Sequence, residues 1–277
     1  MGAQKPPKVI LFDIGGVVVV SPFRAILRYE TTHSIPRGWI NTAISLSAPN
    51  GQWQRLERGE IPLDDAYFTN WAKDLAQPRP GAWQAYWAKA NPGKTATDAP
   101  PPPVIDTKTM FWEMMREARS PDPNIYPMLC RLRELTRERE RKGEGKLVIA
   151  ALSNAVIWPP GIRDHNDATV EQGADAQAMP NYFDLFLHSA LIGLRKPDAE
   201  VYAYAVRALD EYARGKGVQG GVEAGDILFL DDIGANLKGA REAGIRTVRV
   251  KLNHTDEAVR EVEDILGVSL TGDRAKL

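Results

Sequence analysis

Three short apolar runs in this chain each stop at residues able to do chemistry, and that pattern constrains the fold more than any other feature. Lys8-Val9-Ile10-Leu11-Phe12 stops at Asp13, Lys146 to Leu152 stops at Ser153-Asn154, and Ile227 to Leu230 stops at Asp231-Asp232. A short continuous apolar run suits a strand covered on both faces, as in a parallel sheet. Phe183 to Leu187 and Arg246 to Val250 read as further strands. Helical periods lie between them. Pro127 to Arg141 carries Met128, Leu129, Leu132 and Leu135 on one stripe, and Ala199 to Leu209 carries Val201, Tyr202, Ala205, Val206 and Leu209. Ala235 to Ala243 is a short helix with Gly244 just past its end. Strands alternating with helices predict right-handed βαβ units and a doubly wound parallel sheet of the α/β class.

The stretch from about Ser21 to Ala118 has no such buried run. Helical spacing dominates it, as in Trp53-Leu56 and Asp65-Phe68-Trp71-Leu75, and it holds six of the seven tryptophans. It reads as a helical domain, residues 21–118, inserted into a core made of 1–20 and 119–277. Its aromatics are expected to form its own core, with a lining for an apolar substrate as the second reading. Asn91 to Pro103, with four consecutive prolines, is expected to be an extended or mobile loop, and Pro159 to Pro180 a lid or a disordered segment. There is no internal repeat.

Composition narrows the function classes. With 277 residues and 43% hydrophobic content the chain can bury a sizeable core. A formal net charge of −1 supplies no basic field, so nucleic acid is not expected as a partner. Cys130 alone cannot form an internal disulfide, and His33, His165, His188 and His254 lack zinc-site spacing. No run is long enough to span a bilayer. Met1 to Lys8 is short and polar, unlike a secretory signal, and Pro6 stands where a myristoylation motif wants Ser or Thr. An intracellular, cytoplasmic location is expected, as a monomer or homodimer. Ala275-Lys276-Leu277 is similar to the Ser-Lys-Leu peroxisomal address, which makes the peroxisome a second expectation beside a chance tripeptide.

In open α/β sheets, ligands bind outside the carboxyl ends of the strands. There this chain offers Asp13, Ser153-Asn154 and Asp231-Asp232, with Arg195-Lys196-Pro197-Asp198 at a helix start. A carboxylate, a hydroxyl beside an amide, a lysine and a carboxylate pair suit phosphoryl transfer. Asp13 would attack and form a covalent intermediate that water resolves. Mg²⁺ held between Asp13 and Asp232 would offset the phosphate charge. Lys196 would clamp the phosphate, and the Ser153 hydroxyl and Asn154 N–H would donate to it. Gly15 and Gly16 would let backbone N–H groups approach the anion.

These segments resemble the motifs of the haloacid dehalogenase superfamily. Phe12-Asp13-Ile14-Gly15-Gly16-Val17-Val18 is similar to its first motif, Leu152-Ser153-Asn154 to its second and Arg195-Lys196-Pro197 to its third. Phe229 to Leu237 is similar to the fourth. The string Leu230 to Lys238, with Arg58-Gly59-Glu60-Ile61 in the insertion, resembles most closely the N-terminal phosphatase domain of soluble epoxide hydrolases and related glucose-1-phosphatase-like proteins. The resemblance covers roughly residues 8 to 252. It implies a Rossmann-like core with a helical cap domain and a small phosphorylated metabolite as substrate. It implies Asp13 as nucleophile, Asp232 as metal ligand, Asp231 as a carboxylate supporting the metal site, and Lys196, Ser153 and Asn154 as phosphate binders.

One position departs from the family. A second aspartate usually stands two residues after the nucleophile, and here that residue is Gly15. Losing a placed general acid–base costs about 10²–10⁴ in rate. The loss implies a good leaving group, a different acid (Asp231, Glu57 or Glu60), or weak or lost activity. Three functions stay open: a Mg²⁺-dependent phosphatase, a metal-independent dehalogenase of the 2-haloacid type, and a non-catalytic binder of a phosphorylated ligand. The crowded Asp231-Asp232 pair argues against the second. Gly93-Lys94-Thr95 imitates the end of a P-loop, but no strand precedes it.

Overall fold

The computed structural model describes residues 5–160 and 182–271. The chain enters through strand β1 (Val9–Phe12) and runs through helices α1 (Phe23–Thr32), α2 (Trp39–Leu46), α3 (Gln52–Glu57), α4 (Asp65–Ala76), α5 (Ala82–Ala90) and α6 (Thr107–Glu117). There follow α7 (Ile125–Lys142), β2 (Val148–Ser153), β3 (Leu185–His188), α8 (Ser189–Ile192), α9 (Ala199–Gly215), β4 (Ile227–Asp231), α10 (Gly234–Glu242), β5 (Arg246–Arg249) and α11 (Thr255–Leu266). The five strands form one parallel sheet in the order β3-β2-β1-β4-β5.

Every residue of β1, β2 and β4 is buried, which is why these strands read as unbroken apolar runs. Alternate side chains go to opposite faces. Val9, Leu11, Ala150 and Phe229 pack with Val201, Tyr202 and Leu209 of α9 and Leu237 of α10. Ile10, Phe12, Ile149 and Leu230 pack with Leu129 and Leu132 of α7 and Val259 and Val262 of α11. Helices thus cover both faces, and the α/β, doubly wound arrangement is as the strand pattern predicts. The strand order reverses about β1, so the crevice opens where β1, β2 and β4 end together.

Helices α1 to α6 form an insertion with its own core. Trp39, Trp53, Trp71, Trp83, Tyr67, Phe68 and Phe111 belong to one buried cluster. Two of these helices start on aspartate caps, Asp64 accepting from Tyr67 N at 2.8 Å and Asp106 from Thr109 N at 3.0 Å. Trp158, the tryptophan outside the insertion, also packs there, with ring centroids 5.8 Å from Trp112 and 6.3 Å from Phe111. The chain leaves and re-enters the core side by side, through a bridge between Val19 and Pro121. The insertion also rests on α8: Gly59, at φ +67°, lies so close to the Ala190 carbonyl that a Cβ there would collide with it.

The proline-rich stretch, expected to be extended or mobile, is a loop with some local order. Ala96–Asp98 forms a 3₁₀ turn closed by Thr95 and Asp98, and Trp83 Nε1 donates to Pro100 O at 2.7 Å. The local polar residues and a tryptophan donor pin a segment whose prolines cannot supply N–H groups of their own. Residues 161–180 of the second predicted loop, Gly2 and the Ala275-Lys276-Leu277 tripeptide lie outside the described residues. Among the described residues no helix is long and apolar enough to cross a membrane.

Candidate active site

Register brings the chemistry together. Phe12 pairs with Ala151 on one side and Leu230 on the other, so Asp13, Ser153-Asn154 and Asp231-Asp232 emerge at one edge of the sheet. Lys196 arrives from the segment between α8 and α9, with its side chain fully buried. Its Nζ lies 2.7 Å from Asp13 Oδ1 and 2.9 Å from Asp231 Oδ2, above the Phe229 ring. Asn154 fixes its backbone: Nδ2 donates to Lys196 O at 2.9 Å, and Oδ1 accepts from Lys196 N at 2.8 Å. The Asn154 side chain is therefore committed to Lys196, and Ser153 is buried at the end of β2 on the cavity wall.

The three aspartates differ in what they touch. Asp231 is fully buried and already well supplied with donors. Oδ2 accepts from Lys196 and from Asn236 Nδ2 at 3.0 Å, and Oδ1 from Ile233 N at 2.8 Å and Asn236 Nδ2 at 3.1 Å. Asp13 Oδ1 accepts from Ile14 N at 2.7 Å and from Lys196. Asp232 Oδ1 is buried without a hydrogen-bond partner. Each of the three offers an oxygen within 4.8 Å of the others, close enough to share a metal ion. Gly16 makes this possible: at φ +83°, a Cβ there would come within 2.5 Å of Asp232 Oδ2.

Three carboxylates around one ammonium leave an excess of buried negative charge. Burial pushes Asp13 well above the ordinary carboxyl range; Lys196 opposes this, and Asp231 and Asp232 add to it. Burial and then Asp231 push Asp232 up to about 7. Burial works against the Lys196 charge, but Asp13 and Asp231 outweigh it and its pKa is raised. The lysine charge is thus favoured, while the ionised forms of Asp13 and Asp232 are disfavoured, which leaves the site short of positive charge. An unpartnered buried oxygen, an all-oxygen donor set and this charge excess fit Mg²⁺.

A cavity of about 550 Å³ opens above these residues. Asp13, Ser153, Asn154 and Lys196 line it, and so do apolar side chains including Phe23, Ile44, Trp53, Met115, Val156 and Trp158. The aromatic residues of the insertion are thus mostly its core, with Trp53 also on the cavity wall. Glu57, at the end of α3, also faces the cavity, and its Oε2 accepts from Arg195 Nε at 2.7 Å. Burial raises the Glu57 pKa against the pull of Arg195. Glu60 takes no part: it lies outside α3 and pairs with Arg58 at 2.6 Å and Arg55 at 3.4 Å. Sequence reasoning did not find Asn236, Trp158, or Arg195 as the partner of Glu57. Asn236 stands inside the fourth motif, so its place was visible while its hydrogen bonds were not.

No family model matches the chain. It is 26% identical over 266 residues to bifunctional epoxide hydrolase 2 of Sus scrofa, covering 94% of this chain and 39% of that protein. The relative of that name in Rattus norvegicus is 24% identical over 261 residues, with the same shares of 94% and 39%. The chain thus spans 39% of the length of these two relatives. Among solved structures, a HAD-like family hydrolase of Porphyromonas gingivalis superposes with a TM-score of 0.54 at 14% identity, covering 96% of this chain and 100% of the other. The magnesium-bound HAD-hydrolase-like YfnB of Bacillus subtilis gives a TM-score of 0.51 at 14% identity, covering 95% and 100%.

Proposed function

We propose that this chain, a haloacid-dehalogenase-like protein, is a Mg²⁺-dependent phosphatase that hydrolyses a small phosphate monoester through an aspartyl phosphate on Asp13. The observation that carries this reading is the cluster of buried Asp13 and Asp231 with half-buried Asp232, which has one ammonium among its carboxylates and an unpartnered Asp232 oxygen. Asp13 and Asp232 would hold the ion, which when bound offsets the charge of the phosphate oxygens. Asp231, with its oxygens taken by Lys196, Asn236 and Ile233, would hold Lys196 in place.

In the reaction, Asp13 bonds to phosphorus as the ester oxygen leaves. Lys196, the Ser153 hydroxyl and the Asn154 N–H stabilise the equatorial oxygens. Water then attacks the aspartyl phosphate and returns Asp13. The helical insertion is the cap that shields this intermediate and selects the leaving group. The apolar cavity wall favours a leaving group with an apolar body.

A metal-independent dehalogenase remains the second reading, favoured by Gly15. It predicts turnover in the presence of chelator and halide as the product. The separating experiment is a phosphate-release screen across monoesters, with Mg²⁺ and with chelator, beside Asp13→Asn. Mg²⁺-dependent release lost in that variant supports the phosphatase. Halide release from a 2-haloacid without metal would replace it.

A further inference from the structure

A phosphatase built on this site lacks its usual proton donor, because Gly15 occupies that position. Among the described residues lining the cavity, the carboxyl groups are those of Asp13 and Glu57. We propose that Glu57, delivered by the insertion, is the general acid and base of the reaction. The proposal rests on the phosphatase reading above and names the group that completes it.

The geometry favours this role. Displacement at phosphorus runs in line, so the ester oxygen leaves on the side away from Asp13, into the cavity that Glu57 faces. Arg195 Nε engages Glu57 Oε2 at 2.7 Å, which fixes the carboxyl at the cavity wall. The Glu57 side chain is 7% exposed, so water competes little for it. The charged and titratable groups acting on it are Arg195, Lys196 and the Tyr67 phenol of α4, and the Trp53 side chain hydrogen-bonds to it. Burial already favours its protonated form, and an entering phosphate dianion would favour it further.

The steps balance. An Asp13 carboxylate oxygen forms a bond to phosphorus while the ester P–O bond breaks. That electron pair goes to the leaving oxygen, which takes the Glu57 proton and departs as an alcohol. Water then attacks the aspartyl phosphate and gives a proton to the Glu57 carboxylate. The P–O bond to Asp13 breaks, its pair returns to Asp13, and inorganic phosphate leaves.

The test compares an alkyl phosphate with p-nitrophenyl phosphate in single-turnover experiments, using the full chain, Glu57→Gln and Arg195→Gln with Mg²⁺ present. Loss of a placed acid should slow alkyl release by about 10²–10⁴ in Glu57→Gln and nitrophenol release far less. The basic limb of its kcat/KM profile should also disappear, while Arg195→Gln keeps both the limb and the ratio between substrates. Equal slowing of both substrates by the two variants, each folded by circular dichroism, would make Glu57 a mere anchor of the insertion and overturn the proposal. Absence of any turnover in the unaltered chain would overturn the phosphatase reading as well.

Discussion

Asn154 and Lys196 exchange two hydrogen bonds, side-chain amide to backbone amide, at 2.9 and 2.8 Å. The residue after β2 thus sets where the buried ammonium sits against Asp13. Asn154→Ala removes both bonds and leaves the Lys196 N–H short of a partner, a loss of about 1–3 kcal/mol in stability. Activity should fall further than stability alone explains, since a small displacement of Lys196 moves the charge that faces the phosphate. Urea midpoints and kcat measured together check this. An unchanged kcat would remove Asn154 from the positioning of Lys196.

Gly16 and Asp232 make the second case. A Cβ at residue 16 would sit 2.5 Å from Asp232 Oδ2, on a backbone held at φ +83°. Gly16→Ala should cost about 1–2 kcal/mol from the left-handed backbone. It should also push Asp232 aside and weaken Mg²⁺ by about 10–100-fold. Calorimetric Mg²⁺ titration and a denaturant melt give the two numbers, and unaltered Mg²⁺ affinity would sink the argument.

The core strands could be read in the sequence because both sheet faces are covered, so Val9 to Phe12 and Ile227 to Leu230 show no polar alternation. The strand-end residues could be read for the same reason: each run stops where the chain meets the crevice. What a linear pattern cannot show is which polar group meets which. The backbone N–H of Asn154 read as a phosphate donor, while the bonds of its side chain to Lys196 had no signal in the sequence. Glu57 and Glu60 read alike three residues apart, yet one faces the cavity and the other pairs with Arg58. Helix α11 went unread because Ala258, Val259 and Val262 form a narrow apolar stripe within a charged segment.

The charge excess predicts an unusual pH dependence for the metal-free protein. Asp232 is pushed up to about 7 when folded, above its ordinary value near 3.8. Between those values the folded state binds more protons than the unfolded state, so stability falls as pH rises. Raised Asp13 acts in the same direction. Thermal melts in chelator should therefore lose stability from about pH 4 to about pH 7 through these groups. Mg²⁺ should restore it most at the upper end, where the carboxylates are ionised. Asp232→Asn should flatten the slope and abolish the Mg²⁺ response. A Mg²⁺ gain that is the same at pH 5 and pH 8 would contradict the assignment.

Gly15→Asp separates two accounts of how this site handles protons. A Cβ at residue 15 would approach Pro22 Cδ to 3.2 Å, closer than usual, but the backbone there is not left-handed and Pro22 is partly exposed. The substitution should cost about 1 kcal/mol from this crowding. It would put a carboxyl two residues after the proposed nucleophile, the position that the resemblance in the first motif implies for an acid–base aspartate. With Glu57 already acting as acid, the added aspartate should change alkyl-phosphate turnover little in the unaltered chain. In the Glu57→Gln background it should restore about 10-fold or more, because one placed acid then replaces another. Without any resident acid, Gly15→Asp would speed both backgrounds equally. The double-mutant cycle on kcat decides the matter: coupling between positions 15 and 57 supports a shared proton-transfer role, and strict additivity refutes it.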